Sequence, residues 1–222
     1  MKSLWKYVVG VTYKPLLGYY LSFTRTYSYQ NIRLQVPSNV FHPGFFFSTK
    51  LLLRYLSNIP MAGKLFLELG AGSGLISIVA AQKGATVTAS DINKTAIRTL
   101  KKNAQDNGVK ISVLESDVFQ SISRKCFDLI AINPPYYKKQ PISVKEYAWY
   151  CGEKGEFFQQ LFSGLDHFIH SQSEVYMILC DDCDLDMISR YANEHLFKMN
   201  CVATFSNLLE KNFIFKIEKV DA

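Results

Sequence analysis

The stretch from Lys64 to Asp91 admits few folds. An apolar run, KLFLEL (Lys64 to Leu69), meets the turn Gly70-Ala71-Gly72-Ser73-Gly74. A helix-like segment, LISIVAAQKG (Leu75 to Gly84), follows, and a second apolar run from Ala85 to Ala89 leads to Ser90-Asp91. Glycines at 70, 72 and 74 let the backbone turn tightly and let a ligand approach the start of the next helix. Asp91 lies 17 residues past Gly74, near the usual spacing for an acid that accepts from ribose hydroxyls. A nicotinamide fingerprint requires a third glycine where Leu75 stands, and a Walker loop requires a Gly-Lys-Ser/Thr triplet that is missing. Glu68, immediately before the turn, favours a cationic ligand over a pyrophosphate.

A second motif follows the apolar run FDLIAI (Phe127 to Ile132): Asn133-Pro134-Pro135-Tyr136. By itself this reads equally as a proline-ended strand entering a turn. Beside the glycine turn it reads as a clamp for a flat, nitrogen-bearing group. The Asn133 side-chain oxygen and the Pro134 carbonyl are two acceptors, which suit an NH2 group. Both prolines fix φ and carry no N–H, so the loop is stiff and rich in acceptors. Tyr136 can stack on a planar substrate.

Hydrophobic periodicity places strands at Lys64–Leu69, Ala85–Ser90, Ile111–Leu114, Phe127–Ile132, Val175–Cys180, Cys201–Phe205 and Phe213–Glu218. Helices are expected at Ser48–Ser57, Gly74–Lys83, Lys94–Asn107, Glu156–Ile169 and Leu185–His195. This alternation predicts an α/β fold, a doubly wound, mainly parallel seven-stranded sheet. The last two strands lie too close for a helical crossover and should form an antiparallel hairpin. The singled-out residues then gather at the C-terminal ends of the first four strands, the crevice where open α/β sheets bind ligands.

With these motifs the chain resembles the class I, Rossmann-like S-adenosylmethionine-dependent methyltransferases. Among them it is similar to the N-methyltransferases that carry NPPY, especially the release-factor glutamine N5-methyltransferase family. The resemblance runs from about Val40 to the C-terminus, with Glu68 to Gly74, Asp91, Asp117 and Asn133 to Tyr136 in family order. Two further segments add to it: HPGFFFSTKLLLRYL (His42 to Leu56) before the first strand and Gly152-Glu153-Lys154-Gly155 before the helix after NPPY. It implies S-adenosylmethionine as cofactor, held by Glu68, Gly70, Gly72 and Gly74. Asp91 with Ile92 would hold the ribose, Asp117 with Val118 in LESDVF the adenine amino group, and Asn133 the transfer end. Asn133, Pro134 and Tyr136 would act on the substrate, with Pro135 and Tyr136 lining its site. The implied activity is methylation of a glutamine side chain in a translation release factor or a related protein. NPPY also occurs in RNA and DNA amino-methyltransferases, so an RNA enzyme acting on adenine N6 or guanine N2 is the alternative, and a cofactor-binding protein without catalysis is a third reading. Some relatives work with a small zinc-containing activator subunit, which makes such a subunit a candidate partner.

Residues 1–57 are expected to form a basic, aromatic segment packed on or extending a methyltransferase domain at 58–222. Its charge is lopsided: residues 1–67 hold eight Lys or Arg and no acid, while residues 68–222 hold seventeen cations and nineteen acids, so +8 and −2 give the net +6. Interleaved with Trp5, Tyr7, Tyr13, Tyr19, Tyr20, Tyr27 and Tyr29, the segment suits either a polyanion-contacting surface or a solvated face with aromatics covering the core. Lys6 and Lys14 interrupt its greasy start, leaving no uncharged run of the roughly 20 residues that a membrane span needs. No clear apolar core ending in a cleavage site marks a secretory signal. Five cysteines, an odd number, fit a reducing compartment and a cytoplasmic location. Cys180-x-x-Cys183 has no companion pair with ligand spacing, which favours structural cysteines and no metal.

Overall fold

The computed structural model describes residues 22–45, 47–207 and 210–220. The described elements run β1 (Arg25–Tyr29), β2 (Ile32–Val36), α1 (Phe47–Leu56), β3 (Leu65–Leu69), α2 (Leu75–Gln82), β4 (Thr86–Asp91), α3 (Lys94–Asp106) and β5 (Ile111–Glu115). After them come β6 (Leu129–Ile132), α4 (Glu156–Leu165), β7 (Glu174–Cys180), α5 (Leu185–Glu194), β8 (Phe197–Ser206) and β9 (Lys211–Lys219). Seven strands form one sheet in the order β5-β4-β3-β6-β7-β9-β8. The run from β5 to β7 is parallel. β9 inserts antiparallel between β7 and β8, so the expected terminal hairpin is present with only β8 at the edge.

Alternation along the central strands sets the layers. Leu67 and Leu69 of β3 and Ile130 and Ile132 of β6 join a core with α4 and α5, through Phe158, Leu161, Phe162 and Ile188. Phe66, Leu129 and Ala131, pointing the other way, join α1 and α2 through Leu52, Leu53, Leu56, Ile76 and Ile78. Both faces of β6 are buried, which is why its sequence is continuously apolar. The order of strands reverses between β3 and β6, and the crevice opens above their C-terminal ends.

Several boundaries differ from the periodicity reading. The helix expected over Glu156–Ile169 ends at Leu165 and tightens into a 3-10 turn at Asp166–Phe168. β8 starts at Phe197, four residues before the expected Cys201, and carries a register irregularity between Cys201 and Ala203 that breaks its alternation. Residues 25–36 form an antiparallel hairpin, β1–β2, that the charge-based reading had absorbed into a basic segment. Its inward residues, Ile32, Leu34 and Val36, are buried in the same core as α1 and α2. Fully burying a side chain of this size contributes about 2 kcal/mol, enough to fix the hairpin to the sheet domain. Tyr27 and Tyr29 pack at the margin of that core. Trp5, Tyr7, Tyr13, Tyr19 and Tyr20 lie outside the described residues.

Two amides four residues apart, Asn103 of α3 and Asn107 at its C-terminal cap, dock the free edge of β2. Asn103 Oδ1 accepts from Gln35 N at 2.9 Å and its Nδ2 donates to Gln35 O at 3.0 Å. Asn107 repeats the pattern on Arg33, accepting at 3.1 Å and donating at 2.9 Å. The side chains thus do for this edge what another strand would do, satisfying its backbone groups. Asn103 Nδ2 also donates to Ser73 O at 2.9 Å, tying the hairpin to the glycine turn.

Candidate active site

A cavity of about 280 Å³ follows the C-terminal ends of β3, β4 and β6, and Glu68, Gly70, Gly72, Asp91, Ile92, Asp117, Val118 and Asn133 to Tyr136 all line it. Local backbone rules explain the turn at one end. Gly72 and Gly74 have φ of 55° and 89°, the left-handed region that favours glycine. A Cβ on Gly74 would stand 2.7 Å from Leu100 Cγ, so the close packing of α3 on the turn excludes any side chain there. Gly74 borders the turn from below and is not among the cavity's lining residues.

The turn grips the acid of the neighbouring strand. Gly72 N donates to Asp91 Oδ2 at 2.8 Å, and Asn93 N donates to Oδ1 at 2.8 Å. Burial raises the Asp91 carboxyl above the usual range, against the opposing pull of those N–H groups. Asp117, half-buried after β5, is likewise raised by desolvation. Val118 takes a left-handed conformation, φ 45°, as the chain leaves the strand.

Glu68 is more deeply placed than its neighbours. Its Oε2 accepts from Ser77 N at 2.8 Å and from the Ser77 hydroxyl, so one carboxylate oxygen is committed to the first turn of α2. Desolvation dominates and pushes its pKa to about 8. Among the described residues no Lys, Arg or His lines the cavity, whereas Glu68, Asp91, Asp117 and Glu156 do. An acid-lined cleft of this kind repels phosphates and suits a ligand that carries positive charge and hydroxyl groups.

At the other end, Asn133 closes β6. Its Nδ2 donates to Ser48 Oγ at 3.2 Å and to Thr49 Oγ1 at 3.1 Å, both in the first turn of α1. The planar amide is left with Oδ1 as an acceptor that takes no hydrogen bond from the described residues. Pro134 and Pro135 follow, and Tyr136 stands half-buried. Burial drives that phenol far above its ordinary range. Tyr136 N and Tyr137 N both donate to Trp149 O, at 3.2 and 3.0 Å. Those bonds make the base of a strap, residues 138–148, that borders the cavity through Gln140, Val144 and Tyr147. Phe41 meets Trp149 with ring centroids 5.2 Å apart, joining the strap to the segment before α1.

Every sequence-expected residue except Gly74 therefore reaches one cavity. Ser48 and Thr49, within the HPGFFFSTKLLLRYL segment, and Phe41, Tyr147 and Trp149, which carry no motif, also line it, and none of the five is singled out by the sequence. Cys180 and Cys183 sit behind Tyr136 with their sulfurs 3.7 Å apart. Among the described residues no group of three or more His, Cys, Asp or Glu is placed to hold a metal ion.

A family model described as the methyltransferase small domain matches residues 31–149. A Methanocaldococcus jannaschii protein, itself only provisionally assigned as a protein N5-glutamine methyltransferase, is 36% identical over 143 residues, spanning 64% of the chain and 68% of that relative. Among solved structures, the T. thermophilus 16S rRNA N2 G1207 methyltransferase in complex with AdoMet and guanosine superposes with a TM-score of 0.64 at 18% identity, covering 89% of the chain and 50% of its own. The E. cuniculi Mtq2–Trm112 complex, responsible for methylation of the eRF1 translation termination factor, superposes with a TM-score of 0.63 at 19% identity, covering 82% and 99%. The fold is that of class I methyltransferases. The chain belongs to the methyltransferase small domain family. It is an S-adenosylmethionine-dependent methyltransferase.

Proposed function

We propose that the chain methylates the side-chain amide nitrogen of a glutamine in a translation release factor or a related protein. The observation that carries this reading is the Asn133 amide, whose nitrogen is held by α1 while its oxygen is left to accept. The M. jannaschii relative supports the choice of a glutamine amide.

The cleft fits the cofactor by its donor set: the buried Glu68 and the part-buried Asp91 beside a glycine turn, and no cation among the described residues. Asp91 with Ile92 would take the ribose hydroxyls, Asp117 with Val118 the adenine amino group, and Gly70 and Gly72 would let the nucleoside lie close to the backbone, whereas Gly74 would serve the turn through its packing on Leu100. Glu68 has Oε1 to offer an ammonium, and a cation there would draw its proton off. When bound, the cofactor supplies an electrophilic methyl group on a sulfonium. The chain's own residues prepare the acceptor. An amide nitrogen is a weak nucleophile because its lone pair is delocalised. Asn133 Oδ1 and the Pro134 carbonyl, each accepting one N–H, fix the lone pair's direction and stabilise positive charge as it develops, the inverse of an oxyanion hole. One such interaction is worth about 3 kcal/mol, and orientation adds to it. Pro135 and Tyr136 would form the wall along which the planar group lies. No base is required before transfer.

A second reading, base methylation in RNA at adenine N6 or guanine N2, draws on Tyr136, Tyr147, Trp149 and Phe41 at the acceptor end, which could stack an extruded base. A small activator subunit is a further expectation, supported by the two-protein neighbour. We take residues 1–57 as a segment carried on the 58–222 catalytic domain, which the shared core of the hairpin supports. The five free cysteines suit the cytoplasm, and no described helix is long and apolar enough to cross a membrane. Methyl-labelled S-adenosylmethionine, offered with purified release factor and with total RNA under protease and nuclease controls, separates the readings. Label in the protein is expected. Label confined to RNA would overturn the glutamine reading.

A further inference from the structure

We propose that Ser48 and Thr49 are positioning residues that hold the Asn133 amide in its working orientation, an inference that rests on the transfer to nitrogen just described. Asn133 sits where the main chain can do little to orient it, because Pro134 and Pro135 carry no N–H. Its two amide hydrogens meet two hydroxyl oxygens instead, Ser48 Oγ at 3.2 Å and Thr49 Oγ1 at 3.1 Å. Thr49 is buried, and both residues belong to α1, whose Leu52, Leu53 and Leu56 anchor it in the core. The hydroxyls therefore stand on a rigid support.

Chemical symmetry makes this placement matter. Turned by 180°, the amide would present its NH2 to the substrate's NH2, donor against donor. Hydroxyls both accept and donate, so the pair tolerates either orientation while the site is empty. Once the substrate's N–H groups claim Oδ1, only the Nδ2-to-α1 orientation satisfies every group. Without the hydroxyls, whichever amide atom faces α1 is left partnerless, so the amide is no longer held in the plane that points Oδ1 at the substrate. The expected signature is a fall in kcat with cofactor affinity unchanged.

The test uses the full chain with Ser48→Ala and Thr49→Val together, and Thr49→Ser as the conservative variant. In protein labelled with 15N-asparagine, the Asn133 side-chain signals are identified by their loss in Asn133→Ala. They should exchange slowly with solvent in the wild type and in Thr49→Ser, and at least about tenfold faster in the double variant. With methyl-labelled S-adenosylmethionine and whichever pool the wild type labels, kcat should fall about ten- to a hundredfold in the double variant. Thr49→Ser should stay within about threefold of wild type. In an Asn133→Ala background the same pair of changes should alter the residual rate less than about twofold, because the hydroxyls act through that amide. Unchanged exchange, an unchanged kcat, or an equal loss in the Asn133→Ala background would each overturn the proposal. A wild type that labels neither protein nor RNA would sink the functional reading instead, and the exchange measurement would then decide the lock by itself.

Discussion

Glu68 shows how a single residue records two demands at once. Its carboxyl, buried under the first turn of α2, has a pKa of about 8 where the ordinary value is 4.5. Between those values the unfolded chain releases a proton that the folded chain keeps, so stability falls as pH rises through the window. Asp91, also raised by burial, contributes the same sign, and a comparison of variants that both retain it largely removes its part. Glu68→Gln keeps a partner for the Ser77 hydroxyl and removes the titration. Urea midpoints measured from about pH 5 to about pH 8 should decline more steeply for the wild type than for Glu68→Gln. Parallel curves would show that the carboxyl is not held in this way. The cost in stability makes sense in a cleft that has to receive positive charge.

At the scale of elements, the hairpin and α3 depend on amides that no sequence pattern announces. Asn103 is fully buried and satisfies Gln35 N–H, Gln35 O and Ser73 O. Removing it leaves three backbone groups unpaired, and Asn103→Ala should lower unfolding free energy by about 3 kcal/mol. Asn107→Ala, whose partners on Arg33 face solvent, should cost under about 1 kcal/mol. Equilibrium urea unfolding checks both, and equal losses would contradict the docking role given to Asn103. In sequence, KKNAQDN reads as a solvated helix face, because an asparagine among lysines carries no sign of what its amide meets. The β1–β2 hairpin is hidden for a related reason: Ile32, Leu34 and Val36 alternate as a strand should, but a charge count over 67 residues averages across both faces. By contrast, the strand–turn–helix at 64–84 is legible because glycine positions and apolar period constrain the same backbone. NPPY is legible as the end of a buried strand that lines the crevice. The partner that orients it is not, since Ser48 and Thr49 lie 85 and 84 residues away along the chain.

The whole molecule brings these pieces to one crevice. Strand order reverses between β3 and β6, so the turn after β3 and the prolines after β6 face each other across the opening, with Asp91 and Asp117 beside them. Glu68, Asp91 and Asp117 line the crevice after β3, β4 and β5, and the acceptors and aromatic rings line it after β6, so the proposed clamp and the proposed cofactor contacts are carried by different residues. That separation should be visible in a single variant. The most direct measurement pairs single-turnover methyl transfer by Asn133→Ala with calorimetry of S-adenosylmethionine binding to the same protein. The expected result is a transfer rate at least about a hundredfold lower with a dissociation constant within about threefold of wild type. A near-wild-type rate, or a loss of cofactor affinity that accounts for the whole defect, would contradict the acceptor clamp.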